Sequence, residues 1–329
     1  MVKSDYWIFR VFDYPRLQKF FFSAVCLVML IYYFDSNDKW ICTLNGLMVF
    51  NLIYLAIIVA PYTVIGKKQV LRIDKVIEGQ GLSIMISNVY QDNENYTGCL
   101  AEIEKANPDI VVLLEVDSLW AQHLVELDKE YPHSVKVPLD NTYGMMMFSR
   151  LELKNAGVKY LVEEGIPSIH TEVILKNGRP IQLYAVHPTP PVPSENPRAT
   201  ERDKELLLVA DLARKSTLPV IVAGDLNDVA WSHTTSLFLK MSKLLDPRRG
   251  RGFYNSFHAH YFFLRFPLDH AFISTDFKLK EMRRLNNYNS DHFPIFLSLQ
   301  YEDKAPAEQK PMEAAPEDVE EAREKKQKA

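Results

Sequence analysis

Residues 220–227 read VIVAGDLN, a short apolar run that leads directly into Asp225 and Asn227. A buried strand gains nothing by ending in a carboxylate, because removing this group from water is costly unless it is paired or binds a metal. Other short apolar runs also end in, or are preceded by, such polar side chains: Asn88 in run 82–89, Glu115 in run 110–116, His187 after run 181–186, and Asp291 and His292 before run 293–299. The repetition predicts one site assembled from several strand ends, which is typical of a hydrolytic enzyme.

Between residues 77 and 301 the apolar runs are short, rich in Val, Ile and Phe, and bounded by Asn, Asp, Gly and Pro, which predicts strands. Two stretches instead show helical spacing, residues 95–107 and residues 199–215, with Thr200 as a predicted cap of the second. Many short strands and few helices predict two packed sheets with helices on their outer faces.

The N-terminal part differs in kind. Residues 20–34 read FFFSAVCLVMLIYYF, residues 41–64 form a second and longer apolar run, and a polar loop at residues 35–39 joins them. This pattern predicts a two-helix transmembrane hairpin. The alternative is a signal peptide followed by a buried helix, but no small-residue cleavage site follows the first run.

The charges that flank the two runs predict the orientation of this hairpin. Basic residues precede the first run and follow the second: Lys3, Arg10, Arg16 and Lys19, then Lys67, Lys68, Arg72 and Lys75. Cytoplasmic flanks carry an excess of Lys and Arg, so we expect both chain ends in the cytoplasm. The protein is therefore predicted to be integral to the inner or plasma membrane, with its catalytic domain cytoplasmic.

Composition sets further bounds. The 329 residues carry a net charge of −4, so no global positive field attracts nucleic acid. The three cysteines have no metal-binding spacing and predict no disulfide framework. A Gly-rich phosphate loop and a GxSxG elbow are both missing from the sequence, which argues against nucleotide-driven chemistry and a serine nucleophile.

Five segments follow from these patterns. Residues 302–329 are dominated by Glu, Lys, Ala and Pro, and this composition predicts a disordered, solvated tail. The complete division is a cytoplasmic N-terminal segment (1–19), the transmembrane hairpin (20–64), a linker (65–80), a catalytic domain (81–301) and the tail (302–329).

The polar strand ends suggest a chemistry. Carboxylate and amide oxygens in excess of histidine favour a hard cation, Mg²⁺ first and Mn²⁺ second. Histidine beside a carboxylate is suited to contact an anionic oxygen, and an aspartate such as Asp225 to orient or deprotonate water. These are the parts of metal-assisted phosphoester hydrolysis.

The order of the motifs resembles the endonuclease/exonuclease/phosphatase superfamily, which includes DNase I-like nucleases, inositol polyphosphate phosphatases and sphingomyelinases. The motifs are SNV at 87–89, LLEV at 113–116, AVHP at 185–188, GDLN at 224–227, LDH at 268–270 and SDH at 290–292. With the hairpin ahead of them, they resemble the bacterial membrane-anchored branch. The resemblance implies an α/β fold, a four-layer αββα sandwich of the DNase I-like type, with the site at one end.

The same resemblance implies the metal ligands. Glu115 would be the main Mg²⁺ ligand, with Asn88 beside it and Asp291 near the metal. Tyr90 stands where some abasic-site enzymes of the superfamily carry an acidic residue, which argues against a second carboxylate ligand on that strand.

Catalytic roles are implied in the same way. Asp225 would orient and deprotonate the attacking water, and Asn227 would hold the phosphoryl oxygens or the Asp225 side chain. His292 would contact the phosphate with its ring held by Asp269, and His187 would be a second phosphate contact.

Two further features are candidate substrate contacts. Arg248, Arg249 and Arg251 form the most concentrated positive charge of the predicted catalytic domain, in a loop suited to a polyanionic substrate, to anionic headgroups or to solvent. Trp231 follows the GDLN motif and is a candidate for the substrate rim.

The resulting prediction is a membrane-anchored, Mg²⁺-dependent phosphoesterase that cleaves a phosphodiester or phosphomonoester. Its predicted partners are the bilayer and a substrate that is a lipid headgroup or a nucleic acid, and no obligate protein partner is predicted. The alternatives are a nuclease of the same superfamily, acting on DNA or RNA, and a catalytically silent membrane-tethered binding protein.

Overall fold

The computed structural model describes residues 4–35 and 38–328. Lys3 and residues 36 and 37 of the predicted hairpin loop lie outside these ranges. Within them the helices are α1 Trp7–Arg10, α2 Arg16–Tyr33, α3 Lys39–Val59, α4 Tyr96–Ala106, α5 Ser118–His123, α6 Thr200–Lys215, α7 His233–Ser242, α8 Ala305–Glu308 and α9 Pro316–Gln327.

The strands are β1 Gly81–Asn88, β2 Ile110–Leu114, β3 His133–Val137, β4 Met145–Ser149, β5 Leu153–Lys159, β6 Ser168–Ile174, β7 Pro180–Ala185, β8 Val220–Asp225, β9 Asp269–Ile273, β10 Phe277–Arg284 and β11 Ile295–Tyr301. They form a six-stranded sheet in the order β10-β11-β1-β2-β4-β3 and a five-stranded sheet in the order β5-β6-β7-β8-β9. Within each sheet one pair is parallel at the centre, β1 with β2 and β7 with β8.

The two sheets pack face to face over an aliphatic core that includes Ile84, Val112, Leu183 and Ile221. The outer face of the first sheet is covered by α4 and α5. The outer face of the second sheet is covered by α6 and α7. The prediction of a four-layer αββα sandwich of the DNase I-like type is therefore confirmed.

The two predicted helices of this domain form where their apolar spacing indicated. Helix α4 ends at Asn107, which has a left-handed φ of 50° just before Pro108. Helix α6 begins after Ala199, which makes no capping side-chain bond, so the prediction of Thr200 as the cap is wrong by one residue. Helices α5 and α7 lack a long periodic pattern and were not predicted.

Helices α2 and α3 form an antiparallel pair in which Asn51 Nδ2 donates a hydrogen bond of 3.1 Å to Ser23 Oγ. Asp38 caps α3 by accepting from the N–H groups of Trp40 and Ile41. Both helices are long and apolar enough to cross a membrane, and only 6% of each apolar window is buried. Most of the large apolar side chains of this pair therefore face outward, unlike those of a core helix, and Leu55 and Val59 of α3 are buried.

The N-terminal segment ahead of α2 contacts the catalytic domain. Trp7 N donates to Pro197 O at 2.9 Å, and Ala199 N donates to Asp5 O at 2.7 Å. Tyr14 packs in an apolar cluster around Trp231, and Tyr62, which follows the end of α3, belongs to the same cluster. The end of the hairpin formed by the start of α2 and the end of α3 is here called its foot. Both ends of the hairpin are consequently seated on the loop that follows β8.

The C-terminal tail is also ordered, so the prediction of a disordered tail is wrong for the helices that it contains. Helix α9 packs on α6 and α7 with Ala322 fully buried. Lys325 Nζ lies 2.7 Å from Asp203 Oδ2 and 2.9 Å from Asp5 Oδ1. Composition alone misses this arrangement, because the acidic partners of the tail lie elsewhere in the chain.

Glu205 on α6 generates a stability prediction. It is buried, its Oε1 has no hydrogen-bond partner among the residues described, and burial, with Glu163 adding to it, raises its pKa from 4.5 to about 8. Ionising this carboxyl group opposes folding, so the penalty is absent below its unfolded pKa, grows as the pH rises, and is complete above the folded pKa. Glu205→Gln should therefore raise the melting temperature at pH 8.5 and change it little at pH 4.5.

Thermal unfolding followed by circular dichroism across this pH range measures the difference. The exposed Glu104→Gln is the matched control and should be neutral throughout. If the difference in melting temperature between Glu205→Gln and wild type is the same at pH 4.5 and at pH 8.5, the raised pKa of Glu205 is contradicted.

Candidate active site

Strand register brings the predicted polar side chains to one end of the sandwich. Because β1 and β2 are parallel with Asn88 opposite Leu114, the side chains of Asn88 and Glu115 lie next to each other. In the second sheet Asp225 at the end of β8 pairs with Asp269 at the start of β9. His292 precedes β11, which is antiparallel to β1 and therefore starts at the same end.

The backbone at this end adopts uncommon conformations. Glu115 and Asn227 have left-handed φ values of 61° and 50°. Gly224 has φ 149°, and a Cβ on it would stand 1.9 Å from Val186 O. Only glycine allows the end of β8 to approach the loop that carries His187 this closely.

Asn88 joins the two sheets across the site. Its Nδ2 donates to Glu115 Oε1 at 2.7 Å in its own sheet and to Asp225 Oδ2 at 3.3 Å in the other. The other oxygen of Asp225 accepts from the backbone N–H of Asn227 at 2.9 Å. These bonds hold both carboxylates in fixed orientations.

His292 and Asp269 form a buried pair on the far side of Asp225. His292 Nδ1 lies 2.7 Å from Asp269 Oδ2, and its Nε2 lies 3.5 Å from Asp225 Oδ2. Burial lowers the pKa of His292, but the charges of Asp269 and Asp225 outweigh this effect and raise it to about 10. The imidazole is therefore a cation at neutral pH, held between two carboxylates.

The two carboxylates nearest to Asn88 are both shifted upward by burial. Burial raises the pKa of Glu115 to about 7, against the hydrogen bond from Asn88 and the charge of His292. Burial and the charge of Asp269 raise the pKa of Asp225 to about 6, again against His292. A bound cation beside them would offset the cost of ionising these groups away from water.

His187 lies at the edge of this arrangement. It is buried, its ring centroid is 5.4 Å from that of Tyr143, and its Nδ1 has no hydrogen-bond partner within the described part of the chain. Burial, with the charge of His292 adding to it, lowers its pKa to about 4. It is neutral at physiological pH and can offer a hydrogen bond but no charge.

The side chain of Asn227 does not hold Asp225, contrary to one of its two predicted roles. Its Nδ2 donates to Pro188 O at 2.9 Å and so fixes the loop that carries His187. Asn227 supports Asp225 through its backbone N–H alone.

Several oxygens of the site fit a hard cation. Asp291 Oδ1 and Asp269 Oδ1 are buried without a hydrogen-bond partner among residues 4–35 and 38–328. Ligand atoms of Asp225, Asp269 and His292 lie within 4.8 Å of one another, but Nδ1 of His292 is already bonded to Asp269. The donors that remain for a cation are oxygens, chiefly those of Glu115 and Asp291 near Asn88, which are ligands that Mg²⁺ prefers.

The basic loop does not face this site, so the predicted substrate contacts at Arg248, Arg249 and Arg251 are corrected. Arg248 is buried and bonds Asp246 Oδ2 at 2.9 Å. Arg249 lies over the ring of Tyr62, and Arg251 donates to backbone carbonyls, including Pro247 O at 3.1 Å. A buried guanidinium requires an acidic partner. Asp246, only two residues earlier in the sequence, was the signal that Arg248 forms an ion pair within the protein.

Trp231 is likewise not at a substrate rim. It is buried, its Nε1 donates to Asp13 O at 2.8 Å, and its ring packs against Tyr62 and Phe253. Its role is to seat the N-terminal segment on the domain.

Three supporting residues were not predicted. Tyr14 Oη and Arg202 Nη1 each donate to Asn227 O at 2.8 Å, one from the N-terminal segment and one from α6. Ser290 Oγ donates to Asn88 O at 2.8 Å and accepts from His292 N at 2.9 Å. Ser290 belongs to the SDH motif and was detectable, whereas nothing near Tyr14 in the sequence indicates a site.

The fold and the site together define a hydrolase of the DNase I-like class. The chain belongs to the endonuclease/exonuclease/phosphatase family, whose model matches residues 85–292, more than half of the chain. The prediction of a phosphoric ester hydrolase is confirmed at the level of this family.

Solved structures with the same fold include D. rerio TDP2 complexed with single strand DNA product (TM-score 0.56, 15% identity, 67% of this chain and 99% of that one). Others are a family protein from Bacteroides thetaiotaomicron (0.55, 17%, 69% and 100%) and the human Nocturnin catalytic domain with bound sulfate anion (0.55, 18%, 68% and 94%). No curated protein sequence matches the chain. At these identities the structures support the fold alone.

His292 generates the first catalytic prediction. His292→Ala removes the buried cation next to Asp225 and should raise the activation barrier by about 2–4 kcal/mol, the cost of one charge-stabilising donor. The measurement is kcat on a soluble phosphoester. His133→Ala on the edge strand β3 is the matched control, and a His292→Ala enzyme with wild-type kcat refutes the role.

Tyr14 generates a second prediction, on positioning. Tyr14→Phe removes one of two donors to Asn227 O, so the loop that holds Asp225 should lose order and kcat should fall roughly three- to tenfold with the fold intact. The exposed Tyr160→Phe serves as control. Equal kcat and KM in Tyr14→Phe and wild type would show that this bond does not support the site.

Proposed function

We propose that the protein is a membrane-anchored, Mg²⁺-dependent phosphoesterase that hydrolyses a phosphodiester or phosphomonoester. The observation that carries the proposal is the continuous buried chain of polar contacts across both sheets: Glu115, Asn88, Asp225, His292 and Asp269. Buried charges are costly to hold out of water, and clusters of titratable groups with shifted pKa values are typical of active sites, which favours an enzyme over a silent binding protein.

Asp225 is the proposed general base. Its carboxylate is oriented by the Asn227 N–H, and above its pKa of about 6 it is ionised and able to accept a proton. In the proposed reaction the water oxygen bonds to phosphorus, its proton passes to Asp225, and the bond from phosphorus to the ester oxygen breaks; the departing oxygen keeps the electron pair and takes a proton from solvent to leave as an alcohol.

His292 is the proposed electrostatic stabiliser. With its pKa near 10 it keeps its proton, and Asp269 fixes Nδ1 so that Nε2 faces the reacting group. Negative charge develops on the phosphoryl oxygens as the bond breaks, and a preorganised cation lowers the energy of this state. His187, neutral and close to His292, is suited to a second hydrogen bond to phosphate.

Glu115, Asn88 and Asp291 are the residues proposed to hold Mg²⁺, or Mn²⁺ in its place. When bound, such an ion withdraws negative charge from the phosphoryl oxygens and stabilises the transition state. The left-handed backbone at Glu115 and the bond from Asn88 preset the carboxylate for this role.

Helices α2 and α3 are the proposed membrane anchor. Their outward apolar surface and length support this role. The N-terminal segment and the catalytic domain lie at the same end of the hairpin, and the Lys and Arg residues that flank it favour the cytoplasmic side.

Glu115 provides the test of metal dependence. Wild-type protein should hydrolyse a soluble phosphoester with Mg²⁺ or Mn²⁺ and lose this activity in EDTA. Glu115→Gln should raise the metal concentration for half-maximal rate at least about tenfold, since even losing a group that supports a ligand costs about 10–100-fold in affinity.

Glu104→Gln is the matched control, and Asp225→Ala sets the background rate. Wild-type protein no more active than Asp225→Ala on both a phosphodiester and a phosphomonoester, with either metal, would end the proposal. Unchanged metal dependence in Glu115→Gln would remove Glu115 from the ligand set.

A further inference from the structure

Residues 261–264, here called the aromatic loop, expose four large apolar side chains in succession. Tyr261, Phe262, Phe263 and Leu264 are 59%, 70%, 78% and 52% exposed. Water does not favour such a surface, and a contiguous apolar patch of this kind on a soluble domain marks a contact with another apolar phase.

The aromatic loop lies beside the foot of the hairpin. Gln18 Nε2 in the first turn of α2 donates to Phe263 O at 2.9 Å. Phe21 and Phe22, about one turn further along the same helix, are exposed. The loop is therefore level with the point at which α2 becomes apolar on its outer surface.

Other segments at the foot of the hairpin continue this apolar surface. Phe9 and Phe12 of the N-terminal segment are exposed, with Lys19 Nζ 4.6 Å from the Phe12 ring centroid. Val64 and Ile65, in the segment that follows α3, are exposed and are followed by Lys67 and Lys68. Apolar side chains bordered by lysines are typical of the boundary between hydrocarbon and phosphate groups.

The aromatic loop is also continuous with the active site. Phe257, where the chain enters the loop, pairs with Phe266 on the return side and with His292, and its ring centroid is 5.0 Å from that of His292. Ala259 N donates to Asp291 O at 2.6 Å. Tyr261 stacks edge-on against His258 at 4.6 Å. The residues that lead into the aromatic loop thus contact the segment that carries His292 and Asp291.

A nucleic-acid substrate has less support from the described residues. The arginines of the basic loop are engaged within the protein, Arg248 with Asp246 and Arg251 with backbone carbonyls. Strong binding to a phosphate backbone needs several free cationic side chains along the path. An apolar surface beside the site instead suits a substrate whose phosphate is attached to hydrocarbon.

Building on the proposed function, we infer that the substrate is the phosphoester of a lipid that remains in the bilayer. The aromatic loop inserts among the acyl chains, and this contact sets the active site at the level of the headgroup phosphates. The lipid is then cleaved without leaving the membrane, so its acyl chains never enter water.

The test uses full-length protein in nanodiscs of phosphatidylcholine and phosphatidylglycerol, with both faces open to solvent. Turnover is measured on the disc phospholipids by release of phosphate-containing headgroup or product, and on bis(p-nitrophenyl) phosphate in solution. In Phe262→Ser/Phe263→Ser the ratio of lipid to soluble turnover should fall at least about tenfold. The exposed Tyr160→Ser should leave this ratio unchanged.

A second measurement reports contact without relying on activity. Tryptophan in Phe263→Trp should be quenched by brominated lipid in the disc and protected from aqueous acrylamide, after subtraction of the wild-type signal. Tryptophan in Tyr160→Trp should behave in the opposite way. A Phe263→Trp signal quenched by acrylamide and not by brominated lipid overturns the inference.

The outcomes separate this inference from the proposed function. A wild-type enzyme that cleaves the soluble ester with metal but no lipid phosphoester, or that prefers single-stranded DNA or RNA, retains the proposed function and refutes the lipid substrate. A wild-type enzyme inactive on every ester refutes the proposed function, and the lipid substrate with it. An unchanged ratio in the double variant refutes the role of the aromatic loop.

Discussion

The buried charge of His292 must be balanced by buried carboxylates, and the rest of this structure depends on that balance. His292 is buried and cationic only because Asp269 and Asp225 stand on either side of it, at 2.7 and 3.5 Å. Removal of one partner would leave a buried uncompensated charge, which costs several kcal/mol, about 3–5 in comparable pairs. Both carboxylates come from neighbouring strands of one sheet, whereas His292 comes from the other. The two sheets must therefore keep their ends in register for the charges to balance. The geometry of the site thus depends directly on the packing of the sandwich.

Much of this arrangement could be predicted from the sequence, because a polar residue at the end of an apolar run is a local signal. Asn88, Glu115, Asp225 and His292 carried that signal, and the structure brings them together. Other residues were misassigned because their burial or their partner is not visible in the local sequence. Arg248 suggested a substrate contact although Asp246 stands two residues earlier, because the sequence does not show that the two side chains are buried together. The acidic and basic tail suggested solvent because its main partner, Asp203, lies far away on α6.

The hairpin does more than present an apolar surface. Tyr14, just before α2, and Tyr62, just after α3, donate to the backbone carbonyls of Asn227 and Ala230 in the loop that follows Asp225. Arg16 adds a bond to Trp231 O at 2.9 Å. The segments that enter and leave the apolar helices thus support the backbone of the catalytic loop. A tilt or displacement of the hairpin would move the backbone of the loop that holds Asp225. The position of the proposed membrane anchor would thus affect the geometry of the proposed general base.

The buried ionic cluster on α6 extends this connection to the C-terminus. The positive charges of Arg202, Lys325 and Arg10 outweigh the effect of burial and hold the pKa of Asp203 well below its usual value, so the cluster stays ionised at neutral pH. Asp203 contacts Arg10 before the hairpin and Lys325 near the chain end, at 3.3 and 2.7 Å. Three segments far apart in the sequence are fixed at one point, and the foot of the hairpin cannot pivot freely against the sandwich. A domain held at a constant height above the hairpin needs no flexible tether to find its substrate, provided that the scissile phosphate lies at that height. The phosphate groups at a bilayer surface lie at a constant height. A phosphate group on a polymer in solution does not, so a fixed position of the domain gives no advantage in binding it.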